Sequence, residues 1–140
     1  MSKTRKESAY DEFYSRQIIL KELGRRGQRK LAQSKVAVVG LGGLGTVSSL
    51  YLALAGVGHL HLIDQDTVEL HNLHRQVLYS PKDLSYPKVE VSAKRLRKTN
   101  PLVNVESVAE NLNPSNVEKL LWGMDCVVDG LDNIRTRYLV

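Results

Sequence analysis

The sequence of 140 residues predicts an α/β fold, a parallel sheet with flanking helices that forms half of a doubly wound, Rossmann-like domain. Three observations lead to this prediction. Short apolar runs alternate with longer helical patterns, a glycine-rich turn follows the first apolar run, and an aspartate ends the second. Alternation of this kind is built from right-handed crossovers, which make neighbouring strands parallel. The expected strand order is 3-2-1-4.

A short helical segment is expected before the sheet. Residues 10–31 predict one or two short helices that pack against the domain, and a linker over residues 32–35 leads into the first strand. We therefore divide the chain into an N-terminal helical arm, residues 1–34, and a Rossmann-like domain, residues 35–140.

The domain alternates four strands with four helices. Strands are expected near 36–40, 59–64, 103–109 and 124–129, and helices near 43–56, 86–99, 114–121 and from 133 onward. The last helical pattern has no glycine after it and no other stop signal. We therefore expect the chain to be the nucleotide-binding part of a longer protein, truncated at its C-terminus.

Composition and charge limit the classes of protein. No apolar run approaches the ~18 residues of a membrane span, and the charged N-terminus has no signal-peptide segment, so we expect a cytoplasmic protein that binds no membrane. The net charge is +5, with basic residues concentrated in residues 3–30 and 88–98. Because aromatic side chains do not alternate with them, nucleic acid is not an expected partner. In the second cluster, every basic side chain except Lys88 is expected to form a solvated helix face.

The glycine-rich turn is the most informative motif. Gly40, Gly42, Gly43 and Gly45 lie between a buried strand pattern and a helix, an arrangement in which backbone N–H groups and the helix N-terminus approach a phosphate. Asp64 follows the second strand, nineteen residues after Gly45, where such domains place the acid that binds a ribose. Together these residues predict a nucleotide site.

A second loop is expected beside the glycine turn. The predicted strand order opens the sheet between strands one and four, so residues 130–133 should face residues 40–45. Asp132 in this loop offers hard carboxylate oxygens for a Mg²⁺ ion bound to the same phosphates. The alternative is that Asp132 only caps the helix that starts at Asn133.

Cysteine and histidine usage argues against zinc. The chain has one cysteine, Cys126, inside the apolar run 124–128, so we expect a buried, inert thiol. His71 and His74 have a spacing usable by zinc, and His59 and His61 point to one face of a strand. Because no third clustered ligand is evident, we expect surface or loop histidines and no zinc in this chain.

Residues 64–76 are too rich in functional side chains for an ordinary crossover and look like a binding loop. Together with residues 14–19, the glycine turn, Pro87-Lys88 and residues 129–133, this loop resembles the ubiquitin-activating (E1-like) enzymes and their bacterial and archaeal relatives. These are the MoeB/ThiF/HesA adenylyltransferases that activate sulfur-carrier proteins in molybdopterin and thiamine biosynthesis. The resemblance covers residues 14–140, with five motifs in the family's order and spacing.

The resemblance implies roles for the residues that match these motifs. The loop Gly40–Gly45 would cradle the phosphates of ATP, and Asp64 would hold the ribose. Asn72, Arg75 and Lys88 match positions that contact the phosphates. Arg75 and Lys88 are thereby candidate catalytic residues as well as nucleotide ligands.

Further matches bear on catalysis and assembly. Arg16 matches an arginine that reaches into the partner subunit's site, which implies a homodimer, and Asp132 matches the Mg²⁺-binding aspartate. Asp66 and Gln76 belong to the same nucleotide-binding motif. The implied activity is adenylation by ATP of the C-terminal glycine carboxylate of a small ubiquitin-like or sulfur-carrier protein ending in Gly-Gly, with release of pyrophosphate.

Two other function classes remain open. The glycine turn and Asp64 alone would also suit an NAD- or FAD-dependent oxidoreductase, but that reading leaves Arg75, Lys88 and Asp132 unexplained. A non-catalytic E1-like scaffold subunit would have lost phosphate-binding residues, which are all present here. The chain departs from full-length family members in having neither paired Cys-x-x-Cys motifs nor a catalytic cysteine.

Overall fold

The computed structural model describes residues 9–140, which form a four-stranded sheet of order β3-β2-β1-β4. The strands are β1 (Lys35–Val39), β2 (His59–Ile63), β3 (Asn104–Val108) and β4 (Cys126–Asp129). All neighbouring strands pair in parallel. The predicted fold class and strand order are confirmed, and the first eight residues of the arm lie outside the described part of the chain.

Apolar side chains on both faces hold the sheet together. On one face Val38, Leu60 and Leu62 are fully buried in the main core, and on the other Val39 and Ile63 belong to a second cluster. Side chains alternate between the faces along each strand, so a continuous apolar run serves both clusters. Each fully buried leucine contributes about 1.5–3 kcal/mol of hydrophobic stabilisation.

Six α-helices whose bounds lie in the described part of the chain flank the sheet or precede it. They are α1 (Ser15–Ile18), α2 (Gly24–Gln33), α3 (Gly43–Ala55), α4 (Lys88–Thr99), α5 (Val117–Leu121) and α6 (Ile134–Arg137). Helix α3 buries the small residues Thr46, Ser49 and Ala53, while Leu44 and Tyr51 are 73% and 67% exposed. The side of α3 that faces the sheet therefore carries small residues and not its large apolar ones. Small side chains allow the helix to approach the sheet closely.

The arm packs against the end of α3 opposite the glycine turn. Tyr14 is buried, and its hydroxyl accepts a hydrogen bond of 2.7 Å from the Nδ2 of Asn100. Gln28 donates to the backbone oxygen of Ala55 at 3.0 Å. Gly56, which ends α3 with φ +89°, leaves room for the Tyr14 ring, since a Cβ there would lie 2.7 Å from it.

The predicted linker over residues 32–35 is wrong. Helix α2 continues to Gln33 and β1 begins at Lys35, so only Ser34 separates them. Leu31 packs against the main core, and the N–H of Gly58 donates to its backbone oxygen at 2.9 Å. These contacts hold the last turn of α2 in helical conformation up to the strand.

The expected burial of Cys126 is also wrong, because its thiol is exposed. An apolar run predicts burial on both faces, but Cys126 is the first residue of β4, which is an edge strand of the described sheet. None of the helices in residues 9–140 has the length and apolar character required to cross a membrane.

Candidate functional site

A cavity of about 470 Å³ opens at the carboxyl ends of the strands. It is lined by segments that follow all four strands, within residues 39–44, 63–76, 110–112 and 130–136, and by Lys88. Loops that follow neighbouring parallel strands meet at the same edge of a sheet, which is where α/β domains bind ligands. The predicted site residues that line it are Gly40, Gly42, Gly43, Asp64, Asp66, Asn72, Arg75, Gln76, Lys88 and Asp132.

Three glycines hold the two facing loops together. A Cβ on Gly45 would lie 1.8 Å from the backbone oxygen of Gly40, and one on Gly130 would lie 2.6 Å from the same atom. Gly40 itself has φ +87°, a conformation that other residues rarely adopt. The predicted juxtaposition of the loops after β1 and β4 is therefore present, and Gly45 acts in packing without lining the cavity.

Two other glycines leave the cavity floor open. The nearest atoms to a Cβ on Gly42 or Gly43 lie at 4.0 Å and 3.8 Å, so these positions are not filled by the protein's own atoms. Gly42 is the N-cap of α3, whose first turn has no side-chain cap and no acidic residue. The first N–H groups of α3, with their partial positive charge, are available to an anion in the cavity.

Asp64 connects the glycine turn to the loop after β2. Its Oδ2 accepts the N–H of Leu41 at 2.6 Å, and its Oδ1 accepts the N–H of Asp66 at 2.7 Å. Burial raises the pKa of Asp64 above its ordinary value, against the lowering effect of these two hydrogen bonds. Each oxygen keeps a second lone pair that a ribose hydroxyl could use.

Lys88 is a buried cation at the cavity wall. Its side chain is 6% exposed, and its ammonium group lies 2.8 Å from the Oδ2 of Asp66, whose side chain is 55% exposed. The N–H of Lys88 also donates to the backbone oxygen of Asp66 at 2.9 Å. A paired ammonium with further protons to donate suits a phosphate oxygen.

The loop after β2 presents two buried amides and one exposed cation. Asn72 Oδ1 accepts the N–H of Glu69 at 3.0 Å, which closes a short 3₁₀ turn over Leu70–Asn72. Gln76 is buried, and its Oε1 has no hydrogen-bond partner in the described part of the chain. Arg75 is exposed and donates to the backbone oxygen of His71 at 2.9 Å. A ligand with donor groups would satisfy the free oxygen of Gln76.

The loop after β4 is held by hydrogen bonds to Asp129, a residue that was not among the predicted site residues. Asp129 accepts the N–H of Leu131 at 2.9 Å and the Nε–H of Arg137 at 2.6 Å. Burial would raise the pKa of Asp129, but these hydrogen bonds and the Arg137 charge hold it below its ordinary value. The exposed Asp132 does not cap α6, since Asn133 is the N-cap and accepts the N–H of Arg135. The alternative role for Asp132 is thus excluded.

The structure leaves two predicted site residues, Gly45 and Arg16, out of the described cavity and adds others. Arg16 is exposed on α1 and is not among the described residues that line the cavity of its own chain. Glu110, Asn111 and Leu112, which follow β3, line the cavity and were not predicted. Their position after the third strand was the available signal. Of the basic side chains on α4, Lys94 and Lys98 are solvated as expected, whereas Arg95 pairs with Asp83 at 2.6 Å.

Comparison with known proteins identifies close relatives. The model of the ThiF family matches residues 14–140. The chain is 48% identical over 127 residues to a sulfur carrier protein adenylyltransferase of Thermus thermophilus, covering 91% of this chain and 47% of that protein. It is 47% identical over 124 residues to a molybdopterin-synthase adenylyltransferase of Haemophilus influenzae, covering 89% and 51%. The chain thus spans about half the length of each of these two relatives.

Solved structures of similar fold support the same family. The tRNA N6-threonylcarbamoyladenosine dehydratase of E. coli in complex with ATP aligns with a TM-score of 0.82 and 28% identity, covering 99% of this chain and 54% of that one. Another structure of that dehydratase aligns with a TM-score of 0.88 and 29% identity, covering 94% and 55%. From the match over residues 14–140 and these similarities, the chain belongs to the ThiF family.

Proposed function

We propose that this chain is the nucleotide-binding part of an adenylyltransferase. It would use ATP to adenylate the C-terminal glycine carboxylate of a small ubiquitin-like or sulfur-carrier protein ending in Gly-Gly, and release pyrophosphate. One observation carries the proposal: an open glycine turn at a helix N-terminus, a buried lysine and an exposed arginine converge on one cavity. The names of the curated relatives support a sulfur-carrier protein as the substrate.

The phosphates of ATP would lie against the part of the cavity that the glycine turn, Lys88 and Arg75 form. Backbone N–H groups at Gly42 and Gly43 would donate to them, with Lys88 and Arg75 supplying positive charge. Asp64 would accept hydrogen bonds from the ribose, and the unpaired oxygen of Gln76 would accept another donor of the ligand.

The reaction needs charge neutralisation more than proton transfer. The terminal carboxylate of the carrier is already ionised, so it can attack the α-phosphate directly while pyrophosphate leaves. Negative charge grows on the leaving group. Each well-placed donor or cation in such a site lowers the barrier by on the order of 3 kcal/mol. Lys88 and Arg75 have this role in the proposal.

A Mg²⁺ ion fits the donor set of the cavity. The carboxylate of Asp132 is exposed and lines the cavity, and Mg²⁺ prefers such oxygen ligands together with phosphate oxygens. When bound, the ion would neutralise phosphate charge. We expect Asp132→Ala to lower the rate of pyrophosphate exchange more than the affinity for ATP, because the ion acts mainly on the departing group. An exchange rate near that of the native chain would contradict the assignment.

We also propose a homodimer in which Arg16 of one copy reaches the cavity of the other. Arg16 is exposed and does not line its own chain's described cavity, so a role in catalysis requires a second copy. Mixed dimers of Arg16→Ala and Asp132→Ala subunits would contain one complete site and regain part of the activity. Verified mixed dimers without activity, from an active parent, would contradict action in trans.

The competing functions predict different ligands. An NAD- or FAD-dependent oxidoreductase would bind a dinucleotide at least as well as ATP, and a non-catalytic scaffold would not turn ATP over. Exchange of labelled pyrophosphate into ATP is the direct test, with carrier proteins that end in Gly-Gly as substrates. A carrier truncated by its last two residues serves as the control. We expect exchange only with the intact carrier; exchange that is independent of the carrier, or stimulated only by tRNA, would refute the proposed substrate.

A further inference from the structure

Strands β2 and β3 carry a cluster of three potential metal ligands on one face of the sheet. His59 and His61 lie on one face of β2, and Glu106 of β3 is the register partner of His61. None of the three lines the nucleotide cavity. The sequence pattern alone offered only the two histidines; the pairing of β2 with β3 adds the carboxylate.

The three ligand atoms are close enough to share one ion. The Nδ1 of His61 lies 3.5 Å from the Oε2 of Glu106, and the Nε2 of His59 lies 3.8 Å from the same oxygen. All three atoms fall within 4.8 Å of one another. Ligands of a tetrahedral ion with bonds of about 2.0–2.2 Å are separated by ~3.4 Å, so small side-chain rotations would complete the geometry.

An unpaired buried imidazole is an independent indication of a ligand. His61 is 8% exposed, and neither of its ring nitrogens has a hydrogen-bond partner among the described residues. A buried polar group without a hydrogen-bond partner is energetically unfavourable. A metal ion bound at Nδ1 would satisfy it.

The neighbouring amide of Asn104 can support the ligand role of His59. Its Nδ2 lies 2.9 Å from the Nδ1 of His59. Rotation of the amide by half a turn brings Oδ1 to this place, where it accepts the Nδ1 proton and leaves Nε2 free for a metal. His59 is only partly buried and Glu106 is 57% exposed, which gives an ion access from solvent.

We infer that His59, His61 and Glu106 form a zinc site that joins the edge strand β3 to β2. Two imidazoles and one carboxylate are ligands that Zn²⁺ commonly takes, and they leave a fourth position for water or a further ligand. The ion would replace two long histidine–carboxylate contacts by bonds, and so stabilise the edge of the sheet.

The test is zinc binding to the chelator-treated chain without nucleotide, measured by competition with a fluorescent chelator. We expect one Zn²⁺ per chain and a rise in melting temperature, because the ion binds only the folded state. Glu106→Gln should weaken zinc binding at least tenfold and leave the melting temperature in chelator unchanged, since the glutamate is exposed. His59→Ala provides the same test should the first variant fold poorly.

A matched control separates this cluster from other histidines. His74 is exposed on the loop after β2, and His74→Ala should bind zinc as tightly as the native chain. The proposal is overturned if the native chain takes up no stoichiometric zinc. It is equally overturned if Glu106→Gln and His59→Ala bind zinc normally, or if His74→Ala loses it.

Discussion

Two glycines of one turn should respond in opposite ways to the same added methyl group. A Cβ on Gly45 would lie 1.8 Å from the backbone oxygen of Gly40, so Gly45→Ala forces the turn and α3 apart. A Cβ on Gly43 would meet its nearest atoms, in Arg75, at 3.8 Å, which is ordinary contact. Overpacking against rigid backbone typically costs 1–3 kcal/mol and more where nothing can yield. We therefore expect Gly45→Ala to lower the free energy of unfolding by about 3 kcal/mol, which in a domain of this size is a fall of roughly 10 °C in melting temperature.

Gly43→Ala should preserve the fold and damage binding. Alanine is favoured over glycine in helices by up to about 1 kcal/mol, so the variant should be as stable as the native chain or more so. Its methyl group occupies the open floor where phosphate oxygens would approach, and ATP affinity should fall at least tenfold. Thermal unfolding by far-ultraviolet circular dichroism and titration with ATP measure the two effects separately. A Gly45→Ala variant as stable as the native chain, or a Gly43→Ala variant less stable than Gly45→Ala, would refute the division of the turn into packing and ligand-facing glycines.

Three further perturbations have distinct expected results. Lys88→Met should lower ATP affinity about 10- to 100-fold, because a hydrogen bond from a charged donor contributes about 1.5–3 kcal/mol. The control Lys94→Met, on the solvated face of α4, should bind ATP as tightly as the native chain. Equal affinities of the two variants by calorimetry would contradict a phosphate role for Lys88. Cys126 should react rapidly with iodoacetamide in the folded chain, because its side chain is exposed. For the same reason Cys126→Ser should change the free energy of unfolding by less than about 0.5 kcal/mol. A thiol that reacts with iodoacetamide only after unfolding would argue against its exposure. Asp83→Asn should cost about 1–2 kcal/mol at pH 7, since Asp83 accepts from Ser80 and Arg95. Burial would raise the pKa of Asp83, but the hydrogen bonds from Ser80 and Arg95 hold it below its ordinary value. The stabilisation is therefore lost as the pH falls through that lowered pKa, and a difference in stability that persists unchanged in acid would contradict this.

The parts of the fold that sequence could predict are those governed by local pattern. The apolar runs of β1 and β2, the glycine turn between β1 and α3, and the aspartate after β2 occur in one continuous stretch with a fixed order. Because right-handed crossovers restrict the possible topologies, the sequence also allowed us to predict that the loops after β1 and β4 lie side by side. The contacts among Gly40, Gly45 and Gly130 are the structural consequence.

What sequence could not predict depends on neighbours from distant parts of the chain. The exposure of Cys126 follows from the edge position of β4 in the described sheet. The composition of an apolar run does not distinguish an edge strand from a central one. The meeting of His61 with Glu106 depends on the register between β2 and β3, which their sequences leave undetermined. Glu110 lines the cavity and no local motif marks it, so its position after the third strand was the only signal that the sequence offered.

Calorimetric titration of the native chain with Mg²⁺ and ATP, beside parallel titrations with NAD and FAD, is the decisive test of whether the cavity binds ATP. We expect one ATP site per chain, with an affinity at least tenfold above that for either dinucleotide, because Lys88 and Arg75 line the cavity beside the open positions at Gly42 and Gly43. We also expect Gly43→Ala to remain folded while its affinity for ATP falls at least tenfold. Binding of NAD as tight as that of ATP, or ATP binding that is unaffected in Gly43→Ala, would contradict the assignment of the cavity to ATP.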